Sequence, residues 1–175
     1  TQKWYKNVIA YLTKTRGIDE NIVRKMIADG DLYQDVHKNC VFVGKDFNGF
    51  EKSAFIRSTN TYTDKPFRGD AKGSSKEYRF RIENERSRIV NVFESEIDLL
   101  SYYTMQNEED RYENYISLGG LSDRALKSFL KERCRVHKDI DQINICVDND
   151  AAGDTFAKKI AKELKECTYE YPNKT

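Results

Sequence analysis

The chain has 175 residues, 34% of them charged, and a formal net charge of only +1. That length gives one domain or two small ones with a real core, and the near-neutral balance excludes a protein that works by bulk positive charge. No apolar run is long enough to span a bilayer and no signal peptide is legible, so a reduced cytoplasmic compartment and no membrane partner are expected. The four cysteines lack C-x-x-C spacing and there are two histidines, which argues against a zinc site. Charge is uneven along the chain. Residues 1–88 carry 18 Lys/Arg against 12 Asp/Glu, and residues 89–175 carry 12 against 17. A basic half joined to an acidic half suits a polyanion held by one part and a metal held by the other, and equally an unevenly charged solvated surface.

In chain order, Trp4, Val8 and Leu12, with Tyr5 and Ile9 beside them, form one apolar helical face over residues 3–15, closed by Arg16-Gly17. Asp19 caps a second helix with Ile22, Val23, Met26 and Ile27 on its face, stopped by Gly30. Arg16 is either a phosphate contact or an ordinary residue of a packed helical hairpin. A β region follows: Cys40–Lys45, a turn at Asp46-Phe47-Asn48-Gly49, and a second run over Lys52–Ser58. Residues 59–76 read as a long loop, and Glu77–Ile82 alternates Tyr78, Phe80 and Ile82 against Glu77, Arg79 and Arg81. Arg57, Arg68, Lys72, Lys76, Arg79 and Arg81 sit among Phe55, Phe67, Tyr78 and Phe80. A basic face with aromatics can track a phosphate backbone and stack bases; a sheet with one wet face has the same composition.

From Arg88 the period changes. Ile89–Phe93 is a strand ending in Glu94, Glu96–Asn107 a helix, and Asn107–Glu113 an acidic loop. Tyr115–Leu118 is a strand closed by Gly119-Gly120, and Ser122 caps a helix with Leu126, Phe129 and Leu130 on one face. Ile140–Val147 is a third strand, Phe156, Ile160 and Leu164 stripe the next helix, and Thr168–Tyr171 has the pattern of a fourth strand. Such a βαβαβαβ order requires a parallel sheet with right-handed crossovers. The expected fold is α/β: residues 88–175 a parallel sheet flanked by helices, residues 1–87 a small α+β subdomain with a basic face.

In a parallel sheet all strand C-termini share one edge. Glu94, Gly119-Gly120, and the pair Asp148 and Asp150 are thereby gathered there. Three acids without a neighbouring cation repel one another, which is the physical case for Mg²⁺ or Mn²⁺ bound by Glu94, Asp148 and Asp150. Such a site favours phosphoryl transfer. Glu94 could bind metal or act as general acid/base, and Asp98 lies one helical turn deeper. Gly119 and Gly120 offer backbone N–H groups to an anion, and Gly153 admits a phosphate or another backbone. The alternative for Asp148-Asn149-Asp150 is a turn with a helix N-cap.

Val92-Phe93-Glu94-Ser95-Glu96-Ile97-Asp98-Leu99-Leu100, followed by Ile145-Cys146-Val147-Asp148-Asn149-Asp150-Ala151-Ala152-Gly153, resembles the two signature motifs of the toprim domain. That domain is shared by bacterial primases, type IA and II topoisomerases and some nucleases. Leu118-Gly119-Gly120 resembles the intervening loop of bacterial primases, and Asp98 the aspartate that follows their glutamate. Tyr11-Leu12-Thr13-Lys14-Thr15-Arg16-Gly17-Ile18, Val41-Phe42-Val43-Gly44, Arg57-Ser58-Thr59-Asn60 and Phe67-Arg68-Gly69 are similar to the N-terminal part of primase-like toprim proteins of plasmids and conjugative transposons. The resemblance implies nucleotidyl transfer from nucleoside triphosphates on a single-stranded DNA template, with Mg²⁺ or Mn²⁺ and other mobile-element replication proteins as partners. Arg57, Arg68 and Arg79 are the expected template or triphosphate contacts, with Lys72 and Lys76 beside them. A phosphodiester-hydrolysing nuclease and a non-catalytic nucleic-acid-binding accessory are the alternatives.

The sequence departs from the family in places. Ser95 stands where primases carry glycine, and Asn149 replaces the glycine between the aspartates, as the mobile-element group tolerates. The zinc-binding module of replicative primases is absent from these residues. The chain starts without Met, consistent with a piece of something longer, and stops at Pro172-Asn173-Lys174-Thr175, where the group continues into an acidic Lys-Asp-x-Asn-like segment. Part of a metal site would then lie outside it.

Overall fold

The computed structural model describes residues 4–169. Helix α1 (Lys6–Ala10) runs on into a π-helical turn (Tyr11–Thr15). Gly17 then takes a left-handed conformation (φ +70°), which lets the Ile18 N–H return to the Leu12 carbonyl at 3.0 Å. Helix α2 (Glu20–Ala28) starts as expected on Asp19, whose Oδ1 accepts from the N–H groups of Asn21 (2.7 Å) and Ile22 (3.3 Å).

The next four strands, β1 (Leu32–Gln34), β2 (Cys40–Lys45), β3 (Glu51–Arg57) and β4 (Arg68–Asp70), form an antiparallel sheet in sequence order. The β2–β3 turn is held by Asp46, whose Oδ1 accepts from the backbone of Asn48 (2.9 Å) and Phe50 (3.0 Å), with Gly49 at φ +87°. Strands β1 and β4 were not expected, because three residues carry no readable period. The loop expected over 59–76 therefore contains a strand.

The second sheet has the order β5 (Arg81–Ile82), β7 (Asn114–Ser117), β6 (Ile89–Phe93), β8 (Gln142–Cys146). β6 is parallel to both β7 and β8, and β5 closes the edge antiparallel to β7. Helices α3 (Glu96–Met105), α4 (Arg124–Arg135) and α5 (Ala151–Tyr169) supply the crossovers and the covering layer. The fold is the α/β class expected, with corrections. The strand over Glu77–Ile82 is reduced to its last two residues. Helix α4 is preceded by Asp123, with no side-chain cap, and Ser122 does not cap it. In place of a fourth parallel strand over Thr168–Tyr171, Thr168 and Tyr169 continue α5, while 170 and 171 lie outside the described residues. Among the described residues no helix is long and apolar enough to cross a membrane.

Alternation along β6 and β7 splits the core. Val90, Val92, Ile116 and Leu118 pack under α4 and α5 with Leu126, Phe129, Phe156 and Ile160. Phe93 and Tyr115 face the other way, into a cluster that joins Ile97, Leu99 and Leu100 of α3 to Leu12, Ile22, Val23, Phe42 and Phe80. The N-terminal half is thus packed on the toprim-motif sheet through a shared core.

Candidate metal centre

The site follows from strand register. β6 and β8 are neighbours with Phe93 opposite Cys146, so Glu94 and Val147-Asp148 leave adjacent strands at one edge. Glu94 is half-buried, and Asp148 and Asp150 are exposed. The Glu94 carboxyl is held above the usual carboxylate range, first by burial, then by the charges of Asp148, Asp150 and Asp98, with Arg68 pulling the other way. Among the described residues none of these four acids pairs with a lysine or arginine within salt-bridge distance. Nor, among the described residues, are three acids drawn close enough to chelate one ion. Bare carboxylates at one sheet edge repel one another. The donor set is all carboxylate oxygen, which fits a hard divalent ion.

Local structure orients each acid. Ser95 caps α3, accepting from the Asp98 N–H (3.3 Å), and its hydroxyl donates to the Asp98 carboxylate (2.5 Å). A serine in the family's glycine position is thereby accounted for. Asp150 Oδ1 accepts from the Gly153 N–H at 2.8 Å, so it caps α5 and keeps its second oxygen for other partners. Both readings of the Asp148-Asn149-Asp150 turn, cap and ligand, are compatible at that residue. Gly153 admits a backbone: a Cβ there would stand 2.0 Å from the Asp148 carbonyl oxygen. Gly119 (φ +62°) and Gly120 (φ +115°) form the expected turn, but their N–H groups are used within the protein. Gly120 donates to the Glu94 carbonyl (2.9 Å) and Gly119 to Ser117 Oγ (3.3 Å), which stitches the turn to Glu94 and leaves neither donor for an anion.

The basic residues divide. Arg68, Lys72 and Lys76 are exposed, and Arg57 is half-buried with its Nε on the Tyr11 hydroxyl (3.0 Å). The same hydroxyl accepts from Arg16 Nε (2.9 Å), so Tyr11 aligns two guanidinium groups. Arg79 is a correction. It is 2% exposed, paired with both oxygens of Asp70, and its planar head lies against Gly119. Residues 77–80 are not a strand, so the alternation that turned Arg79 outward does not operate. Removing its partner is costly because a buried guanidinium is left facing an amide. Asp70→Asn is expected to lose about 1–3 kcal/mol, moderated because Asp70 itself reaches water. Arg79 holds the Asp70 carboxyl below its ordinary range, first through the hydrogen bond. That stability is present above the unfolded carboxylate range and is lost as pH falls through the depressed value. Urea midpoints across pH 3–7 should show this acid-side loss in the parent and not in the variant.

Sequence reasoning missed Glu96. It is 1% exposed and accepts from Ser117 Oγ at 2.9 Å. Its helical spacing to Leu99 and Leu100 was the available signal, since i, i+3 and i+4 share a face. Burial raises its carboxyl, opposed by Ser117 and by the charges of Arg79 and Arg57. A raised carboxyl contributes stability below its unfolded pKa and loses it as pH rises through the folded value. Glu96→Gln should therefore match the parent near pH 5 and exceed it near pH 8 in denaturant midpoint. An equal deficit at both would mean an ionised carboxylate held by the two arginines.

Residues 91–173 match the family described as Toprim-like. The chain carries a toprim-like domain. Ahead of that domain, residues 10–86 match a family described as "Protein of unknown function (DUF3991)". The chain is 30% identical over 156 residues, 86% of its length, to an uncharacterized Bacillus anthracis protein, pXO2-78, and spans 45% of that protein. Among solved structures it superposes, at 20% identity and a TM-score of 0.58, on a chain of the bacteriophage T7 lagging-strand DNA polymerase assembly with the primase domains of two gp4 subunits bound to an RNA/DNA hybrid and dTTP. That match covers 85% of this chain and 71% of the other. Against the Aquifex aeolicus primase the identity is 18% and the TM-score 0.48, over 84% of this chain and 44% of that one. The likeness to the T7 assembly chain is one of fold and extends over 85% of the chain, across both of its sheets.

Proposed function

We propose that the chain is the core of a primase-like enzyme, extending primers from nucleoside triphosphates on a single-stranded DNA template in the cytoplasm, for replication or transfer of a mobile element. The observation that carries this reading is that Glu94 and the pair Asp148 and Asp150 leave adjacent parallel strands at one sheet edge, where none of the three is paired with a cationic side chain among the described residues. Glu94, Asp148 and Asp150 would hold Mg²⁺ or Mn²⁺, with Asp98 supporting Glu94 from one helical turn away. A divalent ion there supplies charge stabilisation for the attacking and leaving oxygens of phosphoryl transfer. Arg57, Arg68, Lys72 and Lys76 would take template and triphosphate phosphates, while Arg79 holds Asp70 and the Gly119 turn in register. In this reading the divisions 1–87 and 88–175 are the polyanion-binding and metal-binding halves.

Primer synthesis on single-stranded DNA with ribonucleotides and Mg²⁺ or Mn²⁺ tests the reading. Labelled products that depend on metal and template support it. Nicking of supercoiled plasmid without nucleotides, and no primers, would replace it with hydrolysis by the same acids. Neither product would leave a binding protein.

A further inference from the structure

Strands β3 and β4 place Arg57 directly opposite Arg68. Like charges in direct cross-strand register repel; Glu96 acts on Arg57 and Glu94 on Arg68 from within the protein, and an anion beside the pair would favour it further. The ten residues joining them are closed by the Ser58 N–H on the Phe67 carbonyl at 2.8 Å. Within the loop, Asn60 N–H bonds to Ser58 Oγ (3.1 Å), Tyr62 N–H to Asn60 Oδ1 (2.9 Å) and Lys65 N–H to Thr63 Oγ1 (3.4 Å). These local turns hold two aromatic rings out in solvent: Tyr62 is 99% exposed and Phe67 60%. Beside them lies an open cleft of about 390 Å³ lined by Arg57, Lys65, Pro66, Phe67 and Arg68. Three cations and one ring in one cleft, with a second ring on the same loop, match a phosphate that carries an unpaired base. A duplex would hide the base faces that these rings could stack on.

We infer that the Ser58–Phe67 loop is a stacking platform for single-stranded nucleic acid, with a backbone phosphate between Arg57, Lys65 and Arg68 and unpaired bases on Tyr62 and Phe67. The assignment deepens the template reading proposed above but needs no catalysis. Arg68 also acts electrostatically on the Glu94 carboxyl, so the cleft and the acidic sheet edge share one field.

The test is fluorescence anisotropy of a labelled oligo(dT) with the full chain, without divalent metal, at 50 and 200 mM salt. Tyr62→Ala with Phe67→Ala should weaken binding roughly tenfold or more with an unchanged salt slope, because stacking releases no counterions. Lys65→Ala with Arg68→Ala should instead flatten the slope by about one unit. All four residues are surface-exposed, and circular dichroism confirms that each variant folds. A duplex of equal length should bind more weakly than the single strand. Parental affinity in the aromatic variant, equal binding of duplex, or displacement by free ATP at concentrations matched in phosphate would each overturn the inference. Primers made by an aromatic variant with parental affinity would sink the platform alone. Normal stacking behaviour without primer synthesis would sink the enzymatic reading alone.

Discussion

If the chain is the primase-like enzyme proposed, Asp148→Asn is expected to lower metal-dependent primer synthesis by on the order of a thousandfold while leaving the folded protein as stable as the parent, or more so. The two effects share a cause. In the metal-free protein burial is the first cause of the rise in the Glu94 carboxyl, and Asp148 is the largest contributor among the charges. Neutralising it should let that carboxyl fall back toward its ordinary range, and should relieve repulsion by a few tenths of a kcal/mol, since Asp148 is solvent-exposed. A carboxylate that also caps a helix behaves in the opposite sense for stability. Asp150→Ala, which also removes the bond to the Gly153 N–H, should cost about 1 kcal/mol. The measurements are Mn²⁺ titration by electron paramagnetic resonance, urea midpoints without metal, and carbon-detected NMR titration of Glu94. Parental Mn²⁺ affinity in Asp148→Asn would remove the metal assignment, and a marked loss of stability would make Asp148 a structural turn residue.

What was legible in the sequence follows from length of pattern. Ile89–Phe93 and Cys40–Lys45 were readable because four apolar residues in each five- or six-residue run lead to a clear stop, Glu94 in one and the Asp46–Gly49 turn in the other. The acids were readable because the topology of parallel strands puts every C-terminus on one edge, whatever the side-chain detail. Arg79 was misread because alternation is evidence of a strand only where a strand forms. The backbone at 77–80 bends before β5, and Arg79 turns inward to Asp70 and Gly119. The final strand failed for a different reason. Thr168 and Tyr169 favour strands locally, but a helix already propagating from Ala151 extends at little further cost, and cooperativity outweighs two residues of propensity. Tyr11 gave no sign of its role, because a hydroxyl that aligns Arg16 and Arg57 depends on a contact 46 residues away in sequence.

Gly153→Ala is expected to cost about 1–3 kcal/mol and to depress activity roughly a hundredfold, although no functional group is removed. The added Cβ would meet the Asp148 carbonyl oxygen at 2.0 Å, with the Val147 side chain at 3.2 Å behind it. A flexible neighbour could turn aside, but a backbone carbonyl at a strand end cannot move without its residue. The Asp148 carbonyl also accepts from the Asp150 N–H at 2.9 Å, so the displacement carries both acids together. α5 is anchored by Phe156 and Ile160 in the core under the sheet, which leaves the turn as the part that gives. The glycine thus serves helix-to-strand packing and, through it, the distance from Asp148 to Glu94. Kinetics separate the two roles. A misplaced acid pair should raise the Mn²⁺ concentration needed for half-maximal rate and lower the maximal rate, with template affinity unchanged, whereas loss of packing alone would lower only the melting temperature. Parental metal dependence in a folded Gly153→Ala protein would show that the turn tolerates a side chain, and would sever the packing of α5 from the geometry of the site.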